Sequence, residues 1–325
     1  MKTFDEISEI VSLEMKKLQW TSEPRGLYEP IEYVLSMGGK RIRPVLSLMA
    51  CNLFSDNLEE AIAPALGLEV FHNFTLLHDD IMDKADMRRG KPTVHKKWND
   101  NTAILSGDVM QIASYQLIAK TNTVYLKQVL DLFSQTAMEI CEGQQYDVDF
   151  EMRDDVGVDD YIEMIRLKTA VLLACALKTG AIIGGSNNEN AQLLYDFGIN
   201  LGLAFQLKDD FLDVYGDETT FGKKIGGDIV CNKKTFMLIK LIEIAQGNDA
   251  LELQKWLGIS DETKFKDKIS AITTLYNKLG IKAKCEDKMH EFYTKAVANL
   301  DNLGILDNKK QELRNLAANL MFRNN

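Results

Sequence analysis

Apolar residues recur at intervals of three and four along most of the chain. In residues 61–83 that spacing is kept by Leu66, Val70, Phe74, Leu77 and Ile81. Such a period places apolar side chains on one face of an α-helix. Strictly alternating runs are absent, and no Asn-Gly turn separates two β-branched runs. The chain is therefore predicted to be all-α, with helices over 4–18, 29–37, 44–54, 61–83, 103–120, 125–146, 159–182, 189–215, 235–246 and 289–303.

Glycine, proline and charged residues mark the predicted connections between these helices. MGGKRIRP (37–44) ends one helix at glycine, and its proline is well placed to begin the next. No stretch has the composition of an interdomain linker, so residues 1–325 are predicted to form one domain. The other predicted connections are a loop at RRGKP (88–92), an acidic segment at 149–160, a surface turn at 185–190 and a mobile, glycine-rich loop at 215–234.

Composition and charge narrow the class of protein. The 325-residue chain is 46% hydrophobic and 26% charged, which is ordinary for a globular protein. Its formal net charge of −10 has the wrong sign for a general nucleic-acid binder. The five cysteines include no CxxC pair and no signal peptide precedes the first helix, so a cytoplasmic location is expected. The longest apolar stretch, 169–185, is too short for stable membrane insertion.

Two acidic clusters with identical spacing carry the main chemical signal. They are HDDIMD, with Asp79, Asp80 and Asp83, and KDDFLD, with Asp209, Asp210 and Asp213. On a helix each triplet occupies a sector of about 100°. Carboxylates this close repel, at about 3 kcal/mol per pair for ~5 Å and an effective dielectric of ~20. Solvent would relieve that repulsion on an exposed face, which is the common setting of a single charge run.

The repetition of the cluster favours a metal site over a solvated face. Each cluster directly follows an apolar helical stretch, NFTLL in one case and LGLAF in the other, which indicates burial nearby. Dense carboxylate oxygens suit Mg²⁺, which prefers to share the phosphate oxygens of a substrate. Cations that could bind such phosphates lie in the loops, namely Lys40, Arg41, Arg43, Arg88 and Arg89.

With these motifs in order, the sequence resembles the trans-prenyl diphosphate synthases of the polyprenyl synthetase family. The matching pieces run from about residue 25 to 240. They are GGKRIRP, a histidine seven residues before the first aspartate, DDIMD followed by RRGKPTVH, EGQQYD, LKTA, FQLKDDFLD, GDETTFGKKIGGD and NKKT. Two DDxxD clusters, ordered with both basic motifs, make this resemblance specific.

The resemblance implies a fold, a reaction and a set of ligands. The expected fold is the isoprenoid-synthase helical bundle around a deep central cavity, as a homodimer. The expected reaction joins isopentenyl diphosphate to an allylic diphosphate by Mg²⁺-assisted ionisation, with about three Mg²⁺ ions. The aspartates expected to hold these ions are Asp79, Asp83, Asp209 and Asp213, supported by Asp80 and Asp210.

The resemblance also implies which side chains bind each substrate. The allylic diphosphate is expected to contact Arg88, Lys168, Thr169, Gln206, Lys223 and Lys233. Isopentenyl diphosphate is expected to contact Lys40, Arg43, His72 and Arg89. Helical spacing agrees for two of these, because His72 lies about 20° from Asp79 and Gln206 about 60° from Asp209 around their helices.

Bulk just before the first cluster is expected to set product length. Phe74 and Thr75 stand five and four residues before Asp79, and a phenylalanine there resembles C20-forming synthases, with C15 as the close competitor. A straight helical wheel places Phe74 nearly opposite the carboxylates, so plain core packing is the other interpretation.

Three alternatives use the same residues. One is a non-catalytic partner subunit of this fold, which typically lacks an aspartate cluster or the basic motifs kept here. Another is a terpene-cyclase-like or head-to-head condensing enzyme, which does not need the second diphosphate site. The third is a di-metal carboxylate bundle, for which EVFH (69–72) supplies only one of the Glu-x-x-His pairs. Residues 245–325 are expected to be helical and carry no functional prediction.

Overall fold

The computed structural model describes residues 1–217 and 225–322, and the all-α prediction is confirmed. Beyond the helices, this part of the chain contains one two-residue strand pair, Met87–Arg88 (β1) with Lys91–Pro92 (β2). The helices are Phe4–Lys17 (α1), Arg25–Ser36 (α2), Ile42–Asn52 (α3), Glu59–Met82 (α4), Val94–Lys97 (α5), Asp100–Ile118 (α6), Thr123–Phe150 (α7), Val158–Ile165 (α8), a π-helix at Arg166–Ala170, Val171–Ile183 (α9), Asn188–Tyr215 (α10), Gly227–Val230 (α11), Phe236–Ile244 (α12), Asn248–Leu257 (α13), a 3₁₀-helix at Glu262–Lys264, Phe265–Lys278 (α14), Ile281–Asp301 (α15) and Asp307–Phe322 (α16).

Side-chain caps begin several of these helices where the sequence supplies them. Thr3 accepts from the backbone N–H of Glu6, whose carboxylate accepts from the backbone N–H of Thr3, so α1 begins with a capping box. Asn99 caps α6 through the N–H of Thr102 at 2.9 Å. These bonds satisfy N–H groups that have no partner inside the helix, and they set the first residue of each helix.

The segment 88–92, predicted to be a loop, is instead the turn of a minimal hairpin. Arg88 pairs with Lys91 across it, and the two residues between them, Arg89 and Gly90, have φ of 51° and 73°. Positive φ at both central positions is what a two-residue turn needs to match strand twist. An Arg-Gly pair between such short strands gives no hairpin signal in the sequence, which explains the missed element.

The predicted helix 159–182 is interrupted by the π-helical turn at Arg166–Ala170. This turn contains the LKTA motif. Its neighbour is Gly143 of α7, where an added Cβ would lie 2.4 Å from the backbone nitrogen of Lys168. π-helical turns are rare in proteins overall, and those that occur are often found at functional sites.

The described residues fall into two compact units, and the single-domain prediction stays a prediction. Unit 1 comprises Met1–Gln135, Leu172–Tyr195 and Leu303–Leu313, and its core includes the aromatic contacts of Phe133 with Phe71 and Tyr115 at 5.1 and 4.8 Å between ring centroids. Unit 2 comprises the described residues of Thr136–Val171, Asp196–Asn302 and Arg314–Asn325. Its core is built around Tyr161, Leu207, Phe236, Ile272 and Ile281. Among the described helices, none has the length and apolar content needed to cross a bilayer.

Candidate active site

The first aspartate cluster lies at the carboxyl end of α4, in unit 1. Asp79 and Asp80 occupy the last turn and Asp83 is the C-cap, with its backbone N–H donating to the carbonyl of Asp79 at 2.9 Å. Asp80 is 5% exposed, Asp79 is half-buried and Asp83 is exposed. No basic residue occupies the last turn of α4. Because unsatisfied carbonyls make this end of a helix negative, the cluster favours binding of a cation.

The middle carboxylate of this cluster is held by an arginine of the hairpin. The Nε of Arg88 lies 2.9 Å from both oxygens of Asp80, and its Nη2 lies 2.8 Å from Oδ1. The same Nη2 is 4.0 Å from Oδ2 of Asp79. The pKa of Asp80 is raised, mainly by burial and also by the charge of Asp79, although Arg88 opposes the rise. The structure therefore places Arg88, predicted to bind diphosphate, against the first cluster itself.

The second basic residue of the hairpin joins the GGKRIRP segment. Arg89 donates from Nη1 to the carbonyl of Gly38, and a Cβ at Gly39 would lie 2.7 Å from its guanidinium. Both glycines have positive φ, 80° and 126°, so this close approach needs residues without a side chain. The two basic motifs, 50 residues apart in the chain, thus form one surface on unit 1, where Lys40 is exposed.

Arg43 and His72 lie under this surface beside a buried glutamate. Burial lowers the pKa of Arg43 to about 10, against the opposing effect of Glu69. Burial also lowers the pKa of His72, with Arg43, Arg89 and Arg88 adding to the effect, so its imidazole is neutral at pH 7. Glu69 is 3% exposed and accepts from the amide of Asn73 at 3.1 Å.

The second aspartate cluster lies within the last two turns of α10, in unit 2. Asp210 is 7% exposed and accepts from the phenol of Tyr161 at 2.5 Å and from the amide of Gln206 at 2.9 Å. Burial, together with the charge of Asp228, raises its pKa to about 7, although Lys233 and the two donors oppose the rise. Asp209 is half-buried.

The third aspartate of this cluster fixes the segment that follows α10. Oδ2 of Asp213 accepts from the backbone N–H of Asp228 at 3.0 Å, and its carbonyl accepts from the N–H of Gly226 at 2.6 Å. These bonds place the start of α11. The short helix lies in the segment predicted to be a mobile loop, and Lys223 lies outside the described residues.

The π-helical turn carries two more of the predicted side chains. Thr169 donates to Gln206 at 3.1 Å, which links this turn to Asp210. Lys168 donates from Nζ to Oδ2 of Asp147 at 2.6 Å, and Nζ of Lys233 is 3.9 Å from the same oxygen. Two lysines and the second cluster's supporting residues therefore lie together on unit 2.

The residues predicted to set product length pack inside unit 1. Phe74 is 8% exposed, and its ring contacts His78 and Phe71 at centroid distances of 4.8 and 5.3 Å. Thr75 is half-buried and donates to the carbonyl of His72 at 2.8 Å. Phe74 thus belongs to an aromatic group one turn before the first cluster, and its role in product length stays a prediction.

The donor set fits a divalent, oxygen-preferring cation. Both clusters consist of carboxylates near negative helix ends, and no basic residue occupies the last turn of α10 either. The carboxylate oxygens of both clusters suit Mg²⁺, which also keeps several waters and shares phosphate oxygens. Within residues 1–217 and 225–322, no group of three His, Cys, Asp or Glu side chains is close enough to hold a metal ion by itself.

Two residues of these networks, Asp147 and Tyr161, had no role in the sequence prediction. Glu69 entered it only through EVFH, the single Glu-x-x-His pair. Asp147 lies within EGQQYD, and an acid on a helix flanked by apolar residues was the available signal for it. Tyr161 fits the apolar spacing of α8, so nothing local indicates that it binds Asp210, 49 residues away.

The polyprenyl synthetase family model matches residues 24–275 of the chain. A geranylgeranyl diphosphate synthase of Methanosarcina mazei is 40% identical over 248 residues, which are 75% of this chain and 76% of that protein. A crystal structure of a geranylgeranyl pyrophosphate synthase is 46% identical, with a TM-score of 0.95 and 99% of each chain covered. A polyprenyl synthase of Caulobacter crescentus, solved with calcium and isoprenyl diphosphate, is 28% identical, with a TM-score of 0.87 and 100% of each chain covered.

Proposed function

Since the chain belongs to the polyprenyl synthetase family, we propose that it condenses isopentenyl diphosphate with an allylic prenyl diphosphate to give a short-chain, all-trans product. The observation that carries this proposal is the pairing of each carboxylate cluster with cations on its own unit. Arg88 contacts the first cluster, and Lys233 lies close enough to affect the pKa of Asp210 in the second. Carboxylates for metal ions beside cations for phosphate are the requirement of diphosphate chemistry.

The metal part of the proposal concerns Mg²⁺, with about three ions. Asp79 and Asp83 would hold Mg²⁺ in the first cluster, and Asp209 and Asp213 in the second. When bound, Mg²⁺ supplies Lewis-acid withdrawal of charge from the allylic diphosphate. Calcium in the Caulobacter crescentus protein supports the use of a divalent cation.

Side chains of the protein would bind the two diphosphates separately. Arg88, Lys168, Thr169, Gln206, Lys223 and Lys233 would contact the allylic diphosphate. Lys40, Arg43, His72 and Arg89 would contact isopentenyl diphosphate. The joining of the 38–39 and 88–90 segments by Arg89 supports the second group, because it brings separate basic motifs onto one surface.

The reaction requires the protein to stabilise a leaving diphosphate and protect a carbocation from water. Lysine and arginine side chains stabilise the charge that develops on the diphosphate as the allylic C–O bond breaks. The double bond of isopentenyl diphosphate then attacks the cation, and a proton leaves, we propose to the released pyrophosphate. No side-chain nucleophile is needed. Apolar residues such as Leu77 and Phe74, both buried beside the first cluster, would help exclude water.

We propose C20 as the main product, with C15 as the competitor. The geranylgeranyl names of the similar proteins support C20. Phe74 is buried five residues before Asp79, which is compatible with a ring that limits chain growth.

A homodimer in the cytoplasm completes the proposal. Ile104, Leu105 and Ile112 are 43%, 56% and 60% exposed and lie within one sector of α6 of about 100°. Exposed apolar groups of this kind mark protein interfaces. None of the five cysteines, all in described residues, forms a disulfide, which supports a reducing compartment.

A single assay tests the proposal. The purified chain is incubated with Mg²⁺, isopentenyl diphosphate and dimethylallyl, geranyl or farnesyl diphosphate, and the products are identified by mass spectrometry. A C20 diphosphate is expected, and its formation should stop when a chelator removes the metal. A chain that makes no prenyl diphosphate from any of these starters would overturn the proposal.

A further inference from the structure

Asp147 is an acidic side chain at the centre of two basic ones. It lies on α7, with 14% of its side chain exposed, and it contacts Nζ of Lys168 at 2.6 Å and Nζ of Lys233 at 3.9 Å. Burial acts to raise its pKa, but the two lysines outweigh burial, so the pKa lies below the usual range. Asp147 is therefore a carboxylate at neutral pH, and one negative charge faces two positive ones.

The two lysines come from separate segments of unit 2. Lys168 belongs to the π-helical turn, and Lys233 follows α11, which Asp213 holds through the N–H of Asp228. Like charges on different segments repel, so a shared counter-ion is needed to keep them close. Asp147 contacts both ammonium groups and is a counter-ion that they share.

The backbone of α7 is shaped for this contact. Gly143 lies one turn before Asp147, on the same side of the helix. A Cβ at Gly143 would lie 2.4 Å from the backbone nitrogen of Lys168 and 2.8 Å from the side chain of Leu167. The turn therefore packs directly on α7, at the distance that lets the Asp147 carboxylate reach the Lys168 ammonium group.

We infer that Asp147 is a positioning residue for the allylic diphosphate, because it holds the ammonium groups of Lys168 and Lys233 side by side where both can bind one phosphate group. The inference rests on the proposed function, which assigns both lysines to that substrate. Asp147 itself does not contact the diphosphate, since two anions in contact would repel. It acts through the lysines.

The direction in which Asp147→Asn changes the affinity for anions separates positioning of the lysines from simple charge neutralisation. Asp147→Asn keeps the shape and removes the charge. If Asp147 only reduced the local positive charge, the variant would bind anions more tightly than the wild type. If Asp147 positions the lysines, the variant would bind anions more weakly than the wild type. We expect the KM for the allylic diphosphate to rise about tenfold or more, with the KM for isopentenyl diphosphate changed by less than about twofold.

Asp154→Asn is the matched control. Asp154 is fully exposed and lies 3.8 Å from Lys234, the residue next to Lys233. The two variants each remove one negative charge, seven residues apart in the chain. Asp147 contacts Lys168 and Lys233, the lysines proposed to bind the diphosphate, whereas Asp154 is near Lys234. The control is expected to leave both KM values unchanged.

Calorimetry with inorganic pyrophosphate in MgCl₂ gives a readout independent of catalysis. We expect Asp147→Asn to weaken pyrophosphate binding, and Lys233→Gln to add less to that loss in the variant than in the wild type, because the two residues act as one unit. If Asp147→Asn fails to fold, Asp147→Glu keeps the charge, moves it by one methylene and is expected to weaken binding in the same direction.

The proposed function and the role of Asp147 can each be refuted separately, because different measurements test them. A wild-type chain that forms no prenyl diphosphate overturns the proposed function, while pyrophosphate binding still tests Asp147. A wild-type chain that is active, with Asp147→Asn equal or superior in pyrophosphate affinity and allylic KM, overturns only the role of Asp147.

Discussion

The two aspartate clusters share one spacing but differ in what holds the middle carboxylate. Asp80 is bound by the guanidinium of Arg88, whereas Asp210 is bound by the neutral donors of Tyr161 and Gln206. Both carboxylates are buried. Burial raises the pKa of both, but the guanidinium of Arg88 opposes the rise at Asp80. At Asp210 the charge of Asp228 adds to the effect of burial, and the pKa is raised to about 7 although Lys233 and the two donors oppose the rise.

The third aspartates differ as well. Asp83 is exposed at the end of α4, while Oδ2 of Asp213 accepts a hydrogen bond from the backbone N–H of Asp228 at the start of α11. The first cluster is therefore tied to the hairpin through its middle residue, and the second to the following segment through its last. The spacing of a motif determines which helix face carries it, and residues distant in sequence determine its charge.

Removing the first aspartate of either cluster should have the largest effect. Asp79→Ala and Asp209→Ala are each expected to lower kcat by about 10³-fold, because each removes a carboxylate proposed to hold Mg²⁺. Steady-state formation of prenyl diphosphate measures this. Asp86→Ala is the control, since Asp86 is exposed and pairs with Lys96. Near-normal turnover of Asp79→Ala would refute the assigned role.

Removing the partner of each middle carboxylate should have unequal effects on stability. Arg88→Gln takes a charged partner from buried Asp80 and should lower the free energy of unfolding by about 2 kcal/mol. Tyr161→Phe leaves Asp210 its bond to Gln206 and should cost about 1 kcal/mol. Urea unfolding followed by circular dichroism measures both. Equal losses would mean that the charge of Arg88 contributes nothing beyond a hydrogen bond.

Buried acids outside the clusters extend this contrast to pH dependence. The pKa of Glu69 is raised, by burial above all, so its folded form prefers the proton and the wild type loses stability as pH rises above 4.5. The stability of Glu69→Gln relative to the wild type should therefore improve over that range. The pKa of Asp147 is lowered by its lysines, against burial, so its contribution is present above 3.8 and lost as pH falls further.

The deficit of Asp147→Asn should accordingly shrink below pH 3.8, opposite in direction to Glu69→Gln. Urea unfolding across pH 3 to 7 (about four units, spanning both reference values) measures the two differences. Parallel curves for the two variants would contradict the assignment of opposite shifts.

Shortening Phe74 should have the smallest effect on rate and a visible effect on product. Phe74→Ala removes a ring that contacts His78 and Phe71, and we expect products longer than those of the wild type. Mass spectrometry measures chain length. Phe71→Ala, which removes a fully buried neighbour in the same aromatic group, should reduce stability and leave chain length unchanged. Unchanged products from Phe74→Ala would assign Phe74 to packing.

Sequence reasoning predicted the helices that carry both clusters because their apolar period is local. α4 and α10 end within one residue of the predicted ends, at Met82 and Tyr215. The contacts that determine the charge of the acidic side chains could not be predicted. Asp147 contacts Lys168, and Tyr161 contacts Asp210, only after the helices pack. The π-helical turn was missed for the same reason, because its geometry depends on Gly143 of another helix.

Lys268 gives the last third of the chain a role in the site. It is fully buried on α14 and donates from Nζ to the carbonyl of Val230 at 3.0 Å and to that of Ile259 at 3.3 Å. The carbonyl of Val230 is at the end of α11, just before Lys233. During synthesis on the ribosome, this hydrogen bond cannot form until Lys268 has been translated, 35 positions after Lys233. A nascent chain that stops at residue 260 would therefore lack this anchor for the segment that carries Lys233.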